Sequence, residues 1–388
     1  MHHGVSRWLS LSHLSAGFIA VLVGYTSSAA IVFQAAAAAG ATPAEISSWL
    51  WALGIGMATT CIGLSLYFKS PVLTAWSTPG AALLITGLAG LPMSEAIGIF
   101  LFNSLLITIA GFSGWFERLM RHVPKTLAAA MLAGVLLRFG LDVFVELPTQ
   151  GLLVGLMLSC YVAGRRFFPL YAVPITFLLG LLAASAQGLL AFEALSVQVA
   201  QPVFMAPSFV MSSLIGVGVP LFVVSMASQN VPGLAVLRAN GYTTPASPLV
   251  GWTGLTGLVL APFGGFSFNL AAITAAICMS KDADPDPKRR YLAAVWAGLF
   301  YLITGIFGAT VVSIFAAFPR ALIVSIAGLA LLGTIGNGLA GALHEEKERE
   351  AALITFLVTA SGLTMFGIGS AFWGLLFGMA TAWINRRN

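Results

Sequence analysis

Charge is what this sequence has least of. Of 388 residues only 8% are Asp, Glu, Lys or Arg, against 59% hydrophobic, where a soluble domain carries about a quarter charged residues. That excludes a soluble globule and leaves a polytopic membrane protein. Cysteine is equally sparse: Cys61, Cys160 and Cys278 sit inside apolar runs with no Cys-x-x-Cys or Cys/His spacing. A disulfide framework and a metal site are therefore not indicated, and the three are packing residues. There is no nucleophile–base pairing, metal constellation or phosphate-binding loop, so the chain does not read as an enzyme and calls for no cofactor. The excess of base over acid, net +5, sets orientation in a bilayer and is not a nucleic-acid signal. The N-terminal apolar run continues straight into a first span, so a cleavable signal peptide is not expected.

At roughly 17–25 residues per span, apolar runs fall at 13–35, 44–67, 94–114, 124–141, 150–164, 170–187, 210–230, 247–262, 291–316, 320–342, 350–367 and 370–384. Two further segments are apolar but interrupted, which makes fourteen. With a cytoplasmic amino terminus, every basic residue except Arg138 and Arg320 falls on the inside, so both termini are expected to be cytoplasmic.

The first interrupted segment is VLTAWSTPGAALLITGL (72–88). Pro79 lacks an N–H and disfavours helix at Thr78, so no helix can run through from Pro71. Leu73 to Ser77 must be extended. Ser77 and Thr78 suit an N-cap and Pro79 a first turn, which predicts a half-helix from Pro79 to Leu88. Non-helical backbone at membrane depth survives only under protein cover or beside a cavity, and a helix amino terminus there favours an anion. GGFSFNLAAITAAICM (264–279) repeats the design, with Ser267 opposite Ser77 and Asn269 opposite Pro79. Paired interrupted segments in corresponding halves point to a transporter's substrate site.

Other repeats keep the same order. GATPA (40–44) before the second span recurs as GYTTPA (241–246) before the ninth, and VPKTL (123–127) opening the fifth recurs as FPRAL (318–322) opening the twelfth. Seven spans per half place the second copy upside down: an all-α, seven-plus-seven inverted repeat whose segments 3 and 10 are short strand plus half-helix. A polar-leaning stretch, 187–208, joins the halves outside.

The runs GYTSSAAIVFQAA (24–36), VLTAWSTPGAALLITGL (72–88), AAAMLAGVLLRFG (128–140), MASQNVPG (226–233) and LVTASGLTMFGIGSAFWGL (357–375) resemble the bacterial benzoate:proton symporter family, the BenE type, over essentially the whole chain. That family looks like a branch of the nucleobase, sulfate and bicarbonate transporter fold. The resemblance implies a core domain (13–122 and 210–317) moving against a gate domain (123–187 and 318–386), with 188–209 as the connection. It also implies benzoate or a related aromatic carboxylate between segments 3 and 10, protons as the coupling ion, and a homodimer through the gate in the bacterial inner membrane. Another small anion or a nucleobase on the same fold, or an anion channel, are the alternatives.

Benzoate requires donors for its carboxylate and a slot for its ring. The half-helix starts offer backbone N–H groups around Gly80 and Ala81 and around Asn269 and Leu270, with hydroxyls from Ser77, Thr78 and Ser267. Tyr25, Thr26, Ser27 and Ser28 form a polar cluster in the apolar first span, with Gln34 two turns on; Ser228, Gln229 and Asn230, before a break at Pro232–Gly233, are its counterpart in span 8. Trp76, Phe266 and Phe268 flank the interruptions and are candidates for the ring. Serines in membrane helices also bond the carbonyl one turn back. Where the nucleobase branch is expected to carry carboxylates, this chain reads Ser228-Gln229 and Phe268-Asn269; neutral donors suit an anion. No acid or histidine is read at mid-depth, 281–290 and 344–350 read as solvated loops, and Arg138 is expected to pair with Asp142. The proton is accordingly expected to travel with the substrate. Gly54-Ile-Gly56, Gly134, Gly328 and Gly367-Ile-Gly369 mark close helix approach.

Overall fold

A computed structural model describes residues 10–115, 124–169, 171–191, 193, 195–281, 283–363, 365 and 370–385. Arg7, Arg118, Arg121, Gly367, Gly369, Arg386 and Arg387 lie outside them. In chain order the elements are α1 (Leu11–Ala38), α2 (Pro43–Phe68), β1 (Thr74–Trp76), α3 (Thr78–Gly87), α4 (Met93–Phe112), α5 (Lys125–Val145), α6 (Leu147–Phe167) and α7 (Ala172–Ala186). There follow α8 (Met211–Arg238), α9 (Ala246–Phe263), β2 (Phe268–Leu270), α10 (Ile273–Cys278), α11 (Tyr291–Ile306), α12 (Gly308–Ala316), α13 (Arg320–Ala342), α14 (Arg349–Ala360) and α15 (Ser370–Asn385). Among the described residues eight helices are long and apolar enough to cross a membrane, and the bent pair α11–α12 makes a ninth.

Local chemistry sets the ends of these elements. Thr42 and Glu45 close a capping box at the start of α2, with Pro43 in its first turn. Lys69 takes φ 51° to end that helix. Ser77 caps α3 through its side chain, as the Ser-Thr-Pro sequence requires. The second half-helix departs from expectation: α10 has only six residues and begins at Ile273, so Asn269 lies in a strand and not at a helix start. Span 8 departs too. Pro232–Gly233 does not break it; the helix absorbs Pro220 and Pro232 as π-turns at Leu214–Gly218 and Met226–Asn230, each ending two residues before the proline whose N–H is missing. The expected single span at 291–316 is bent by 68°, because Phe307 leaves helical geometry (φ −93°, ψ 26°).

Glycines set the helix pairs. On Gly54 of α2 an added Cβ would stand 2.4 Å from Gly305 Cα of α11, and on Gly111 of α4 2.2 Å from Gly251 N of α9. Gly328 of α13 lies against Phe139 and Val143 of α5, and Gly134 of α5 against Phe356 and Thr359 of α14. Side chains at these positions would separate backbones now in contact. The stretch from 195 to 209 has no regular structure and straps across the helices, with Val203 N–H on Ser48 Oγ and Ala200 N–H on the Ile306 carbonyl. The expected Arg138–Asp142 ion pair does not form; Glu146, one turn on, pairs with Arg320 at 3.3 Å.

Candidate functional site

The two interrupted segments meet as an antiparallel strand pair, Thr74 opposite Leu270, Ala75 opposite Asn269 and Trp76 opposite Phe268. Ser77 N–H bonds the Ser267 carbonyl and Ala271 N–H the Leu73 carbonyl. Ser77 therefore faces Ser267, and Asn269 faces Ala75. The chain runs antiparallel through the two strands, so α3 and α10 leave the pair at opposite ends.

Neighbouring helices anchor the strands. Thr74 Oγ1 lies 2.6 Å from Thr60 Oγ1, and Cys61 Sγ accepts the Thr74 N–H at 3.2 Å, which ties β1 to α2. Trp76 Nε1 donates to Ser28 Oγ at 2.8 Å, joining β1 to α1. On the other side, Asn230 Oδ1 accepts the Leu270 N–H at 2.9 Å. Strand alternation explains that last bond: with residues 73/271, 75/269 and 77/267 forming the hydrogen-bonded pairs, the Leu270 N–H points away from β1.

Several expected donors are thereby committed. The Gly80 N–H is taken by Ser77 Oγ at 3.0 Å and the Ala81 N–H by the Ser77 carbonyl, because a capped helix satisfies its own first turn. Asn269 and Leu270 supply no helix terminus, since β2 and not α10 holds them. Ser27 and Ser28 both donate to the Gly24 carbonyl, and Ser228 to the Val224 carbonyl. Asn230 is buried, its amide spent on Leu270 and on Met226 Sδ. Phe268 is packing rather than a ring slot: an added Cβ on Gly56 would stand 2.3 Å from its ring, and Gly257 lies on its other edge. Phe266 is likewise buried among Trp49 and Phe100.

What stays uncommitted is more specific than the expected set. Asn269 is fully buried with neither Nδ2 nor Oδ1 bonded, and the Tyr25 hydroxyl is also buried without a partner. Tyr25 stands edge-on to Trp76, ring centroids 4.8 Å apart, next to the α3 cap. Gln229 is half-buried with no hydrogen bond among the described residues, and Thr78 is half-buried at the first turn of α3. Gln34 Nε2, further along α1, is buried and unbonded.

One residue that sequence reasoning missed links the two halves. Ser225 Oγ donates to Ser77 Oγ at 3.0 Å and lies 3.0 Å from Ser267 Oγ, and all three side chains are fully buried. It sits four residues before Gln229, hence on the same face of α8, and that i, i+4 spacing was the available signal. The result is a neutral site at the strand pair, built from hydroxyls and amides, none of them acidic. Buried polar groups without partners are costly unless something supplies them.

Comparison with known proteins gives this geometry a context. The family described as "Benzoate membrane transport protein" matches residues 8–384. An inner membrane protein of Escherichia coli strain K12, YdcO, is 53% identical over 94% of this chain and 93% of its own length. The benzoate membrane transport protein of Acinetobacter baylyi is 40% identical over 97% of this chain and 95% of its own. Among solved structures, the transmembrane domain of a cyanobacterial bicarbonate transporter, BicA, superposes with a TM-score of 0.60 at 11% identity, covering 95% of this chain and 97% of that one. The murine anion transporter Slc26a9 in its inward-facing state gives 0.60 at 12% identity, covering 96% and 68%. These last two share the fold.

Proposed function

The chain belongs to the benzoate membrane transport protein family, and from that membership we propose that it is a secondary active transporter carrying benzoate, or a related aromatic carboxylate, with a proton across the bacterial inner membrane. By family and fold it is a membrane transporter and not an enzyme. The observation that carries the substrate class is the neutrality of the site. Asn269, Tyr25 and Gln229 present uncommitted polar groups beside a buried hydroxyl chain. An anionic carboxylate needs donors and is repelled by acids.

The proposed architecture is fourteen segments in a seven-plus-seven inverted repeat. Its support is a symmetry of contacts: α2 packs on α11 and α4 on α9. When each first-half segment is matched with the one seven later, these two pairs exchange, while β1–β2 and α5–α13 map onto themselves. The core (13–122 and 210–317) then moves against the gate (123–187 and 318–386), with 188–209 as the connection. Both termini are cytoplasmic and the gate dimerises.

The test is proton uptake by proteoliposomes holding a trapped pH dye, on adding benzoate or uracil at matched pH. Empty liposomes are the control, because benzoic acid crosses lipid unaided. Protein-dependent acidification with benzoate, weakened at limiting benzoate in Gln229→Ala and Asn269→Ala, is the expected result. A signal with uracil alone overturns the substrate, and an ohmic current that does not saturate makes the protein a channel.

A further inference from the structure

At the amino end of α1 lies a group of charged and titratable residues, and the site described above uses none of them. His13 is fully buried, and its Nε2 is 2.7 Å from Oδ2 of Asp284, which is also buried. Asp284 belongs to the 281–290 stretch expected to be a solvated loop; the fold instead turns it and Arg290 inward. Asp284 Oδ1 accepts the Asp286 N–H. Arg290 Nε donates to the Asp284 carbonyl, and its guanidinium also donates to the Met279 carbonyl at the end of α10, both at 2.8 Å. Arg289 Nε approaches Asp284 Oδ2 at 3.6 Å with its side chain half in solvent. Tyr242, whose phenol is raised above its ordinary pKa by burial, donates to the Pro287 carbonyl and stays neutral. Lys69 lies over the Tyr291 ring at the start of α11, and Lys281 and Lys288 are exposed on the connection.

Two observations make this more than a staple between helices. A carboxylate only accepts, so Nε2 carries the hydrogen and Nδ1 of a neutral ring is a bare lone pair; that Nδ1 is buried with no partner. On the adjoining face of α1, Ser12, Ser15 and Ala16 form one wall of an open cavity of about 310 Å³, lined also by Ile273, Ala276, Ile277 and Ser280 along α10 and by Tyr171 before α7.

We infer that His13, held by Asp284, is the proton-binding site through which this transporter couples proton movement to the position of half-helix α10; the inference rests on the proton-coupled reading above. A proton adds to the Nδ1 lone pair while Nε2–H stays on Asp284. On release it leaves Nδ1 for water. Protonation creates a buried N–H donor that the present packing does not satisfy. It therefore favours a rearrangement of the α10–α11 connection in which Nδ1 meets water or another acceptor, while the Nε2–H bond to Asp284 becomes charge-assisted and holds. Arg290 carries that displacement to Met279 and so to α10, whose preceding strand holds Asn269. Proton binding and the substrate site thus adjoin one continuous stretch of chain, from β2 to α10.

Wild type, His13→Gln and Asp284→Asn in proteoliposomes decide it, read by benzoate counterflow at equal pH and by accumulation driven by a proton gradient. Both variants are expected to keep counterflow within about twofold and to lose gradient-driven accumulation by about tenfold or more. Gradient-driven accumulation equal to wild type in His13→Gln overturns the inference. Ring-nitrogen NMR of histidine-labelled protein, with the other histidines replaced to assign the signal, covers the case of variants that do not fold. His13 Nδ1 must pass from bare to protonated as pH falls, and a ring held in one state throughout overturns the inference. A wild type that moves benzoate without protons defeats both the inference and the symport reading. If wild type moves no benzoate, the substrate reading fails alone and the NMR titration decides His13.

Discussion

Asn230 Oδ1 accepts the backbone N–H of Leu270 at 2.9 Å, so a side chain at the end of a π-turn completes a strand that β1 satisfies on one edge only. Removing it strands a buried amide, at a cost of about 1–3 kcal/mol. Asn230→Ala is expected to lower the unfolding free energy in detergent by that amount, and the unfolding midpoint with it. A midpoint equal to wild type would show that the bond is replaced or absent.

Asn269 makes the opposite case. Its amide has no protein partner, so Asn269→Ala relieves an unpaired buried amide while leaving a small cavity, and should destabilise by no more than about 1 kcal/mol. If the amide serves a carboxylate, KM for benzoate should rise about tenfold or more. Thermal unfolding and initial uptake rates measured on one preparation separate the two effects, and an unchanged KM removes Asn269 from the site.

Ser225 and Ser228 differ by less than one turn but not in role. Ser225→Ala cuts the bridge between Ser77 and Ser267 and should cost about 1 kcal/mol with weakened benzoate uptake. Ser228→Ala loses only a bond to the Val224 carbonyl and should stay within about 0.5 kcal/mol. Equal effects on uptake from the two alanines would refute the distinction.

Gly54 and Gly63, both on α2, provide a packing test. An added Cβ on Gly54 meets Gly305 backbone at 2.4 Å, whereas on Gly63 it meets nothing within 4 Å. Gly54→Ala should cost about 1–3 kcal/mol by forcing α2 from α11, while Gly63→Ala should be neutral or stabilising, since alanine suits a helix better. Size-exclusion profiles and unfolding midpoints of the two would reveal any reversal of that order.

Much of the chain was legible because its signals are local. Pro79 and the Ser77–Thr78 cap dictate a break and a half-helix start by covalent and hydrogen-bond geometry, and α3 begins at Thr78. Where the second interrupted segment lacked a proline, no local rule located its helix, and Asn269 was assigned to a terminus when strand pairing holds it. Ser225 escaped notice because a single hydroxyl in PLFVVSMASQN carries no pattern until Ser77 and Ser267 are brought to it from elsewhere in the chain.

By itself the sequence determined that this is a membrane protein, where its long helices lie, and that two segments are interrupted; composition, apolar length and proline stereochemistry act over a few residues and need no tertiary partner. Tertiary structure alone decided which polar groups are free. Whether Tyr25, Gln229 or Asn269 stays uncommitted while Ser27, Gly80 and Asn230 do not depends on which helix or strand approaches. The pairing of His13 with Asp284, residues far apart in the chain, was decided the same way. Hydrogen bonds and burial are properties of neighbours in space, and only the packed chain chooses those neighbours.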